Sequence, residues 1–334
     1  MSTPISGKIS LVQSAHCMEL IRGSYNLLPR HHGCVASIGN YDGVHRGHQA
    51  IIAQLLEHGR GFDTPATIIT FEPHPQEYFA GEHAPPRLMR FRDKLETLAA
   101  LGVDRVVCLR FDGRLAETSA EEFVQRIIID GIGVRHLVVG DDFRFGKGRR
   151  GDIELLRRMG ERAGFGVTHT DTYYVAGERI SSSRIRRHLA NGEFDAAREL
   201  LGRPFQIAGR VIHGDKRGQQ WGFPTANLAI RFHHAPVQGI FAVQVDGLDG
   251  RSLPGVASLG TRPTVDGKKL LLEVFVFDFD RSIYGARIRL SFLHKLRDEV
   301  HYPSIDELRA QIGRDVAAAR RYFETDGSLN HSMS

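Results

Sequence analysis

The sequence predicts an α/β domain with a doubly wound parallel sheet, followed by a small antiparallel β-barrel domain with a C-terminal helix. Its 334 residues correspond to about two domains of ordinary size. Strand-length apolar runs alternate with helical periodicity over the first part of the chain, and short β-rich runs separated by turns follow. Hydrophobic residues make up 41% and charged residues 25%, which is typical of globular domains, so extensive disorder is not expected.

The first half of the chain alternates strands and helices. Apolar runs bounded by turns predict buried strands at 34–39, 66–71, 105–109 and 136–140. Helical spacing of apolar residues predicts helices at 49–56, 92–101, 120–129 and 153–163. Because such alternation forms βαβ units on a parallel sheet, a ligand is expected where the carboxyl ends of the strands meet.

The pattern changes near residue 203. Two short helices, four β-rich runs and a final helix are predicted at 183–189, 194–201, 205–212, 240–245, 270–277, 286–292 and 305–323. Asp-Gly turns between the β-rich runs indicate a small antiparallel barrel. The chain is therefore expected to divide into a first domain, a helical linker, a barrel domain and a tail, at 1–185, 186–203, 204–325 and 326–334.

Several classes of protein are disfavoured by the sequence. No apolar run approaches the roughly 18 residues of a membrane span, and the first residues do not resemble a secretory signal. Three widely spaced cysteines, Cys17, Cys34 and Cys108, argue against a disulfide framework or a zinc ribbon and fit a reducing cytoplasm. The net charge of +5 is compatible with an ordinary basic protein and with an anionic partner such as a nucleotide.

The turn after the first predicted strand, 39–48, carries the first candidate site. His45 and His48 are three residues apart, so one helical turn aims both at the same place, where they can donate hydrogen bonds to phosphate. Gly39 and Gly43 allow close backbone approach, and the following helix start offers free N–H groups. A helix cap and half of a metal site are alternatives for the pair, although no third metal ligand is obvious nearby.

Three further segments follow predicted strands or lie near their carboxyl ends. Residues 71–75 combine Phe71 with two rigid prolines, which suits a flat ring ligand. Residues 140–147 mix aromatic and basic side chains. Residues 179–186 place hydroxyl groups at a helix start beside arginines, which suits phosphate binding. The alternatives are a stiffened loop for the first segment and a serine cap with a solvated basic face for the third.

The carboxy-terminal half contains a second candidate site at 213–228. Its glycines are typical of a flap that covers nucleotide phosphates with backbone N–H groups. Thr225 and Asn227 are two residues apart on an extended segment, so both point to one side and can present oxygens to Mg²⁺. The alternative is a β-hairpin with a proline-stiffened turn.

Together, the four amino-terminal segments and Gly-Phe-Pro-Thr-Ala-Asn at 222–227 resemble the bacterial bifunctional riboflavin kinase/FAD synthetase (FMN adenylyltransferase) family. The resemblance covers nearly the whole chain. It implies a nucleotidyltransferase-like domain that adenylylates FMN to FAD and releases pyrophosphate. It also implies a barrel that phosphorylates riboflavin to FMN, with ATP and Mg²⁺ serving both reactions.

In the first domain the resemblance assigns ATP phosphate contacts to His45 and His48, within the family's His-x-Gly-His motif. Further ATP-binding residues are expected at Gly39, Asn40, Asp42, Gly43, Asp142, Arg179, Ser182 and Ser183. Flavin-side residues are expected at Phe71, Pro73 and Pro75. The implied reaction is attack by the FMN phosphate on the α-phosphorus of ATP, with no covalent enzyme intermediate.

In the barrel the resemblance assigns the role of base on the riboflavin 5′-hydroxyl to Glu273. The implied ATP-binding residues are Gly214, Lys216, Gly222 and Pro224. The implied flavin-binding residues are Arg297 and Glu299, and the implied metal ligands are Thr225 and Asn227. Three residues depart from the family pattern: Phe275 replaces the usual histidine, and Gln219 and Trp221 replace the usual Arg and Leu. Because the magnesium pair and the base are retained, the kinase is expected to persist, and the departures are expected to affect its rate or flavin affinity more than the adenylyltransferase.

Two other functions remain as alternatives. In the first, only the adenylyltransferase works, and the barrel has become a flavin-binding or regulatory module. In the second, the protein binds nucleic acid through basic residues such as Arg144, Lys147, Arg149 and Arg150. The favoured hypothesis expects small-molecule substrates, no nucleic acid or membrane partner, a cytoplasmic location, and a monomer or weak homo-oligomer.

Overall fold

The computed structural model describes residues 18–171, 173–175, 177–214, 222–230, 234–264 and 267–325. Within them the fold class predicted from the sequence is confirmed. A parallel six-stranded sheet with helices is followed by a closed six-stranded antiparallel barrel and a long final helix. No helix among these described residues is both long and apolar enough to span a membrane.

The parallel sheet has the strand order β1-β4-β3-β2-β5-β6. Its strands are β1 (Glu19–Arg22), β2 (Cys34–Ile38), β3 (Ala66–Glu72), β4 (Arg105–Arg110), β5 (Val134–Gly140) and β6 (Gly166–Thr170). The four predicted strands are the central ones, because strands covered on both faces appear as continuous apolar runs. The edge strands β1 and β6 were not predicted, since β1 has only four residues and β6 is mostly half-buried.

The helices of this domain are α1 (Arg46–Phe62), α2 (Pro75–Ala80), α3 (Phe91–Ala100), α4 (Gly113–Glu117), α5 (Ala120–Phe123) and α6 (Ile153–Ala163). A π-helical turn, Val124–Ile129, continues α5, so the predicted helix over 120–129 is present with a changed hydrogen-bond pattern. Helix α1 begins three residues earlier than predicted. His45 caps it by accepting a hydrogen bond from the His48 amide.

The strand order reverses direction between β2 and β5, which are neighbours in the sheet. From β2 the chain continues to β3 and β4 on one side of the sheet, and from β5 it continues to β6 on the other side. A crevice forms at the carboxyl ends of the strands where such a reversal occurs. The Gly39–His48 turn follows β2 and the 140–147 segment follows β5, so the topology brings these two segments together at that crevice.

Two helices, α7 (Ser182–Ala190) and α8 (Phe194–Leu201), connect the sheet domain to the barrel, after a short β7 (Tyr174–Val175) and β8 (Glu178–Arg179) hairpin. Their apolar faces join the barrel core: Ile185, Leu189 and Leu200 are buried in the same cluster as barrel residues. The Phe194 ring lies 5.6 Å from the Phe241 ring, centroid to centroid. The helices of the linker therefore pack as part of the barrel.

The barrel closes in the order β10-β13-β12-β11-β14-β9. Its strands are β9 (Phe205–Ile212), β10 (Ala226–Ala229), β11 (Gly239–Leu248), β12 (Arg251–Thr264), β13 (Gly267–Val276) and β14 (Arg287–Arg297). The helix α9 (Ile305–Thr325) covers one side, where Ala319 is fully buried beside Ala242 and Phe277. Strand β12 was not predicted, because Pro254, Gly255 and Gly260 interrupt its apolar pattern.

Polar contacts join the sheet domain to the barrel. Arg287 of β14 donates to Asp93 of α3 at 2.6 Å, and Arg289 donates to Glu96 at 3.1 Å. In the opposite direction, Arg90 donates to the Ala208 carbonyl of β9 at 2.9 Å. Helix α3 therefore lies against strands β9 and β14.

Candidate active sites

A cleft of about 910 Å³ lies at the carboxyl edge of the parallel sheet. It brings together side chains from all four segments that the sequence singled out in the first domain. The predicted residues that line it are Gly39, Asn40, Asp42, His45, His48, Phe71, Pro75, Asp142, Arg179, Ser182 and Ser183. Pro73 is not among the lining residues, and Gly43 lines a different, smaller cavity towards the barrel.

The two histidines occupy the floor of this cleft. Their rings are stacked with centroids 3.6 Å apart and planes 14° apart. His45 Nδ1 accepts the His48 amide at 3.3 Å, so the neutral His45 ring carries its proton on Nε2. The helix cap therefore uses Nδ1 of His45, and Nε2–H is the donor that the predicted phosphate contact would need.

Burial, with a smaller contribution from the cationic Arg203, Arg179 and Arg186, lowers the pKa of His45 to about 4. Burial, His45 and Lys94 hold the pKa of His48 well below its usual value. Both rings are therefore neutral near pH 7. In the described structure the buried Nδ1 of His48 has no hydrogen-bond partner, which fits a site that a polar ligand completes.

Asp42 is held by the protein itself. Its carboxylate accepts the Leu88 and Met89 amides at 3.0 and 3.2 Å and the Arg186 guanidinium at 2.6 Å. Ser182 donates its hydroxyl to the Asp42 carbonyl at 3.0 Å. These contacts join the 39–48 turn to helix α7. Asp42 therefore stabilises the structure of the cleft.

Asp142 and Arg179, two predicted ATP-binding residues that line the cleft, form a close ion pair. Both side chains are largely exposed, at 60% and 46%. An exposed ion pair contributes little to stability, so it can open when a phosphate competes for the arginine.

Two aromatic residues that line the cleft and one lysine beside it were not predicted from the sequence. Phe111 and Phe123 contribute to an aromatic wall around Phe71, with the Phe71 and Phe111 rings edge to face at 5.9 Å. Phe111 directly follows strand β4. Its position at the carboxyl end of a predicted strand, like that of Phe71, could therefore have revealed it. Buried Lys94, which donates to the Asn40 carbonyl at 2.6 Å, lies inside a helix and carried no local signal.

The second site lies in the barrel. Asn227 of β10 is paired directly with Glu273 of β13, and Glu273 is paired with Ser258 of β12 on its other side. Directly opposed residues of antiparallel strands have Cβ atoms about 5 Å apart. Gly214 packs against the Asn227 carboxamide so closely that a Cβ there would collide with it. The predicted base and one predicted metal ligand are therefore neighbours.

Thr225 adds an oxygen donor two residues before Asn227. Thr225 precedes β10 by one residue and is half-buried, while Asn227 is only 6% exposed. Among the described residues there is no cluster of three His, Cys, Asp or Glu side chains that could hold a metal ion. Mg²⁺ commonly binds proteins through one or two side-chain oxygens plus substrate phosphates, so Thr225 and Asn227 fit it.

Other predicted barrel residues have partners of their own. Arg297 donates to Asp315 of α9 at 2.8 and 2.6 Å and to the Asp298 carbonyl at 2.8 Å. The Glu299 carboxylate packs against Gly260, where a Cβ would collide with it. Arg297 therefore fixes α9 to the barrel.

The flap is described only in part. Gly222 has a φ of +84°, a backbone conformation that favours glycine, and Pro224 is exposed. Lys216, Gln219 and Trp221 lie outside the described residues. Phe275, which departs from the family pattern, stands edge to face with Phe223 at 5.8 Å and so forms an aromatic contact with the Gly-Phe-Pro-Thr-Ala-Asn segment.

Family models match both halves of the chain: FAD synthetase over residues 28–184 and riboflavin kinase over 201–323. The doubly wound α/β domain matches FAD synthetase and the barrel matches riboflavin kinase. The fold and the sites therefore define a two-domain transferase of flavin nucleotide synthesis. More specifically, the chain belongs to the bifunctional riboflavin kinase/FMN adenylyltransferase family, as the sequence predicted.

The relatives of the chain extend over most of its length. A bifunctional riboflavin kinase/FMN adenylyltransferase of Pseudomonas fluorescens is 50% identical over 304 residues, covering 91% of this chain and 97% of the relative. The Escherichia coli K12 protein of that name is 48% identical over 307 residues, covering 92% and 98%. A solved structure described as a macrolide-efflux protein from Streptococcus pneumoniae has a TM-score of 0.78 and 27% identity, covering 91% and 99%.

Proposed function

We propose that this protein uses ATP to phosphorylate riboflavin to FMN in the barrel and then transfers AMP to FMN in the cleft, forming FAD and pyrophosphate. The observation that carries the proposal is that each half of the chain brings together its own set of side chains whose chemistry suits phosphate. The cleft has the stacked His45 and His48, and the barrel has the paired Asn227 and Glu273. We assign adenylyl transfer to residues 1–185 and phosphorylation to 204–325, with 186–203 as the linker.

In the cleft, an oxygen of the FMN phosphate attacks the α-phosphorus of ATP. The bond from the α-phosphorus to the bridging oxygen breaks, and pyrophosphate leaves with that oxygen. His45 donates its Nε2–H to the phosphates, as its cap geometry dictates, and the buried His48 ring lies beside it. Arg179 exchanges Asp142 for a phosphate oxygen and offsets the developing charge.

The aromatic wall of the cleft serves the ring systems of the two substrates. Phe71 and Phe111 line the cleft together with the half-buried Pro75 and present apolar ring faces and edges. A flat heteroaromatic ring stacks on such a surface, which orients the attached phosphate toward the histidines. Binding and orientation supply most of the rate, because phosphoryl-type transfer needs no protein nucleophile.

In the barrel, the Glu273 carboxylate takes the proton of the riboflavin 5′-hydroxyl as that oxygen attacks the γ-phosphorus of ATP, and ADP leaves. Thr225 and Asn227 would hold Mg²⁺, whose charge neutralises the phosphates of ATP. Asn227 is fixed for this by its burial between β9 and β13 and by the close packing of Gly214. Glu273 is fixed by its place between β10 and β12.

A single chromatographic assay tests both halves of the proposal. The purified protein is incubated with ATP and Mg²⁺ and either riboflavin or FMN, and the flavins are then separated. We expect FMN and FAD from riboflavin, and FAD from FMN. FAD from FMN alone would support the alternative in which the barrel is only a binding module, and no product from either flavin would refute the proposal.

We also propose a cytoplasmic enzyme with small-molecule substrates, acting as a monomer or a weak homo-oligomer. ATP is the common substrate of both reactions and is abundant in the cytoplasm. Cys34 and Cys108 are buried free thiols, which are typical of reducing compartments. Cell fractionation followed by the FMN-to-FAD assay tests the location, and size-exclusion chromatography with light scattering tests the oligomeric state.

A further inference from the structure

The turn that carries His45 is strained. Val44 has a φ of +40° and is fully buried, although it is β-branched. A β-branched residue in this region of backbone conformation is a rare outlier, and such strain persists only when the surroundings hold it. The contacts of the Gly43 and Val44 backbone therefore decide where the next residue, His45, lies.

The Val44 amide donates to the Tyr41 carbonyl at 3.3 Å within the turn, and the contacts of the two carbonyls come from Arg203 and Gln49. Arg203 donates through Nη2 to the Gly43 carbonyl at 2.7 Å and through Nη1 to the Val44 carbonyl at 3.3 Å. Gln49 donates through Nε2 to the Val44 carbonyl and to the Leu201 carbonyl, both at 2.9 Å. The carbonyls preceding His45 are thus tied to the end of α8 and to the residue that leads into the barrel.

Arg203 is held rigidly in this position. Its Nη1 also donates to the Leu201 carbonyl at 3.2 Å, so the planar guanidinium bridges the two segments. Burial and the neighbouring Arg289 lower the pKa of Arg203 to about 10, and the side chain is still charged at neutral pH. Arg203 and Arg289 both line a cavity of about 240 Å³ between the sheet domain and the barrel.

Arg203 lies outside the part of the chain that matches FAD synthetase. That match ends at residue 184, and the riboflavin kinase match runs from 201 to 323. The first domain therefore does not contain all the groups that shape its own cleft.

We propose that Arg203, at the end of the linker and inside the riboflavin kinase match, is a positioning residue for adenylyl transfer that holds the strained Gly43–Val44 turn and so places His45. The proposal rests on the proposed function of the cleft. It means that adenylyl transfer depends on a side chain from the segment that leads into the domain of the other reaction.

The bifunctional protein supplies its own control for the test. We compare wild type with Arg203→Met, which removes the donors and keeps most of the stem, and measure FMN-to-FAD and riboflavin-to-FMN conversion in the same preparation. We expect kcat for FAD formation to fall about 10- to 100-fold, the size of effect that misplacing a reacting group produces. KM for FMN and the rate of FMN formation should stay within about twofold, because Arg203 does not line the cleft and is not on the strands that carry Asn227 and Glu273.

Two further variants sharpen the test. Arg289→Met lies in the same cavity and removes the bond to Glu96 but has no bond to the turn, so FAD formation should be unchanged. Arg203→Lys retains a cation that can still donate to the Gly43 carbonyl, so it should recover part of the lost kcat.

Several results would overturn the proposal. One is FAD formation by Arg203→Met at the wild-type rate; another is an equal loss of FAD formation in Arg289→Met. If Arg203→Met lost both activities to the same extent, Arg203 would have a general structural role, and the proposal would be overturned. Failure of the wild-type protein to form FAD from FMN would refute the proposed function of the cleft itself.

Discussion

The cleft of the α/β domain takes its groups from segments spread between residues 39 and 203, whereas the barrel site places Asn227 and Glu273 opposite each other on neighbouring strands. The position of the two histidines in the cleft depends on their own turn and helix cap. It also depends on three loops and on the linker. In the barrel, one strand pairing sets the distance. We therefore expect the cleft to be sensitive to distant changes and the barrel site mainly to changes of its own residues.

The largest expected effect comes from the barrel base. Glu273→Gln should lower riboflavin phosphorylation by about 10²- to 10⁴-fold, the range typical of losing a general base. FMN-to-FAD conversion should be unchanged, because the cleft shares no residue with β13. Both rates are measured by flavin chromatography.

Glu199→Gln, on an exposed position of α8, is the matched control and should leave both rates unchanged. If Glu273→Gln phosphorylated riboflavin at the wild-type rate, Glu273 would not be the base. If it abolished FAD formation from FMN as well, the two sites would not be independent.

The converse variant in the cleft is His48→Ala. FAD formation from FMN should fall on the order of 10²-fold, as when one preorganised donor to a developing charge is removed. FMN formation from riboflavin should persist. His58→Ala, on the same helix but outside the cleft, is the control; a comparable loss there would show that the effect comes from the helix and not from the phosphate site.

Acid should weaken the cleft domain. Burial lowers the pKa of His45 and of His74 to about 4, and that of His48 well below its usual value. An unfolded histidine titrates near pH 6.5, so between about pH 6.5 and 4 the unfolded chain binds more protons than the folded one. The stability contributed by these neutral rings is complete above about pH 6.5 and is lost as the pH falls toward 4.

Thermal melting of the protein between pH 7.5 and 5 checks this expectation. The melting temperature should fall with pH, and FAD formation should decline before FMN formation does. His74→Gln should lose less stability over the same pH range than the wild type, since it has one buried histidine fewer. A pH dependence identical to that of the wild type would exclude a contribution from His74.

The smallest expected effect is at the interface of the two domains. Arg287→Met removes the ion pairs with Asp93 and Glu96, which are partly exposed. Partly exposed ion pairs contribute about 1 kcal/mol or less, so the midpoint of urea unfolding should shift only slightly and both activities should remain. A marked loss of FAD formation would show that the cleft depends on the whole interface, and not on Arg203 in particular.

The sequence predicted best what depends on residues close together in the chain. The spacing of His45 and His48 placed both rings on one side of a helix start, and the stacked rings have that arrangement. The spacing of Thr225 and Asn227 placed them on one side of an extended segment, and Asn227 is on a strand. The central strands were predicted because burial on both faces leaves a continuous apolar run.

Other features had no local signal. Lys94 reaches Asn40 across 54 positions, and Arg203 reaches Gly43 across 160. The edge strand β1 pairs with β4, and β12 completes the barrel in spite of its proline and glycines. In each case a neighbouring strand or a distant carbonyl determines the conformation, and the residue type by itself does not reveal it.

The sequence by itself thus determined the central strands, most of the helices, the two groups of candidate site residues and the family. Only the tertiary structure decided that Asp42 is held by Leu88, Met89 and Arg186, that His45 is neutral, and that Arg203 reaches the first domain. The physical reason is the range of the forces involved: capping, turn preference and side-chain periodicity act within a few residues. Burial, pKa shifts and hydrogen bonds to distant carbonyls exist only once the chain has closed its long loops.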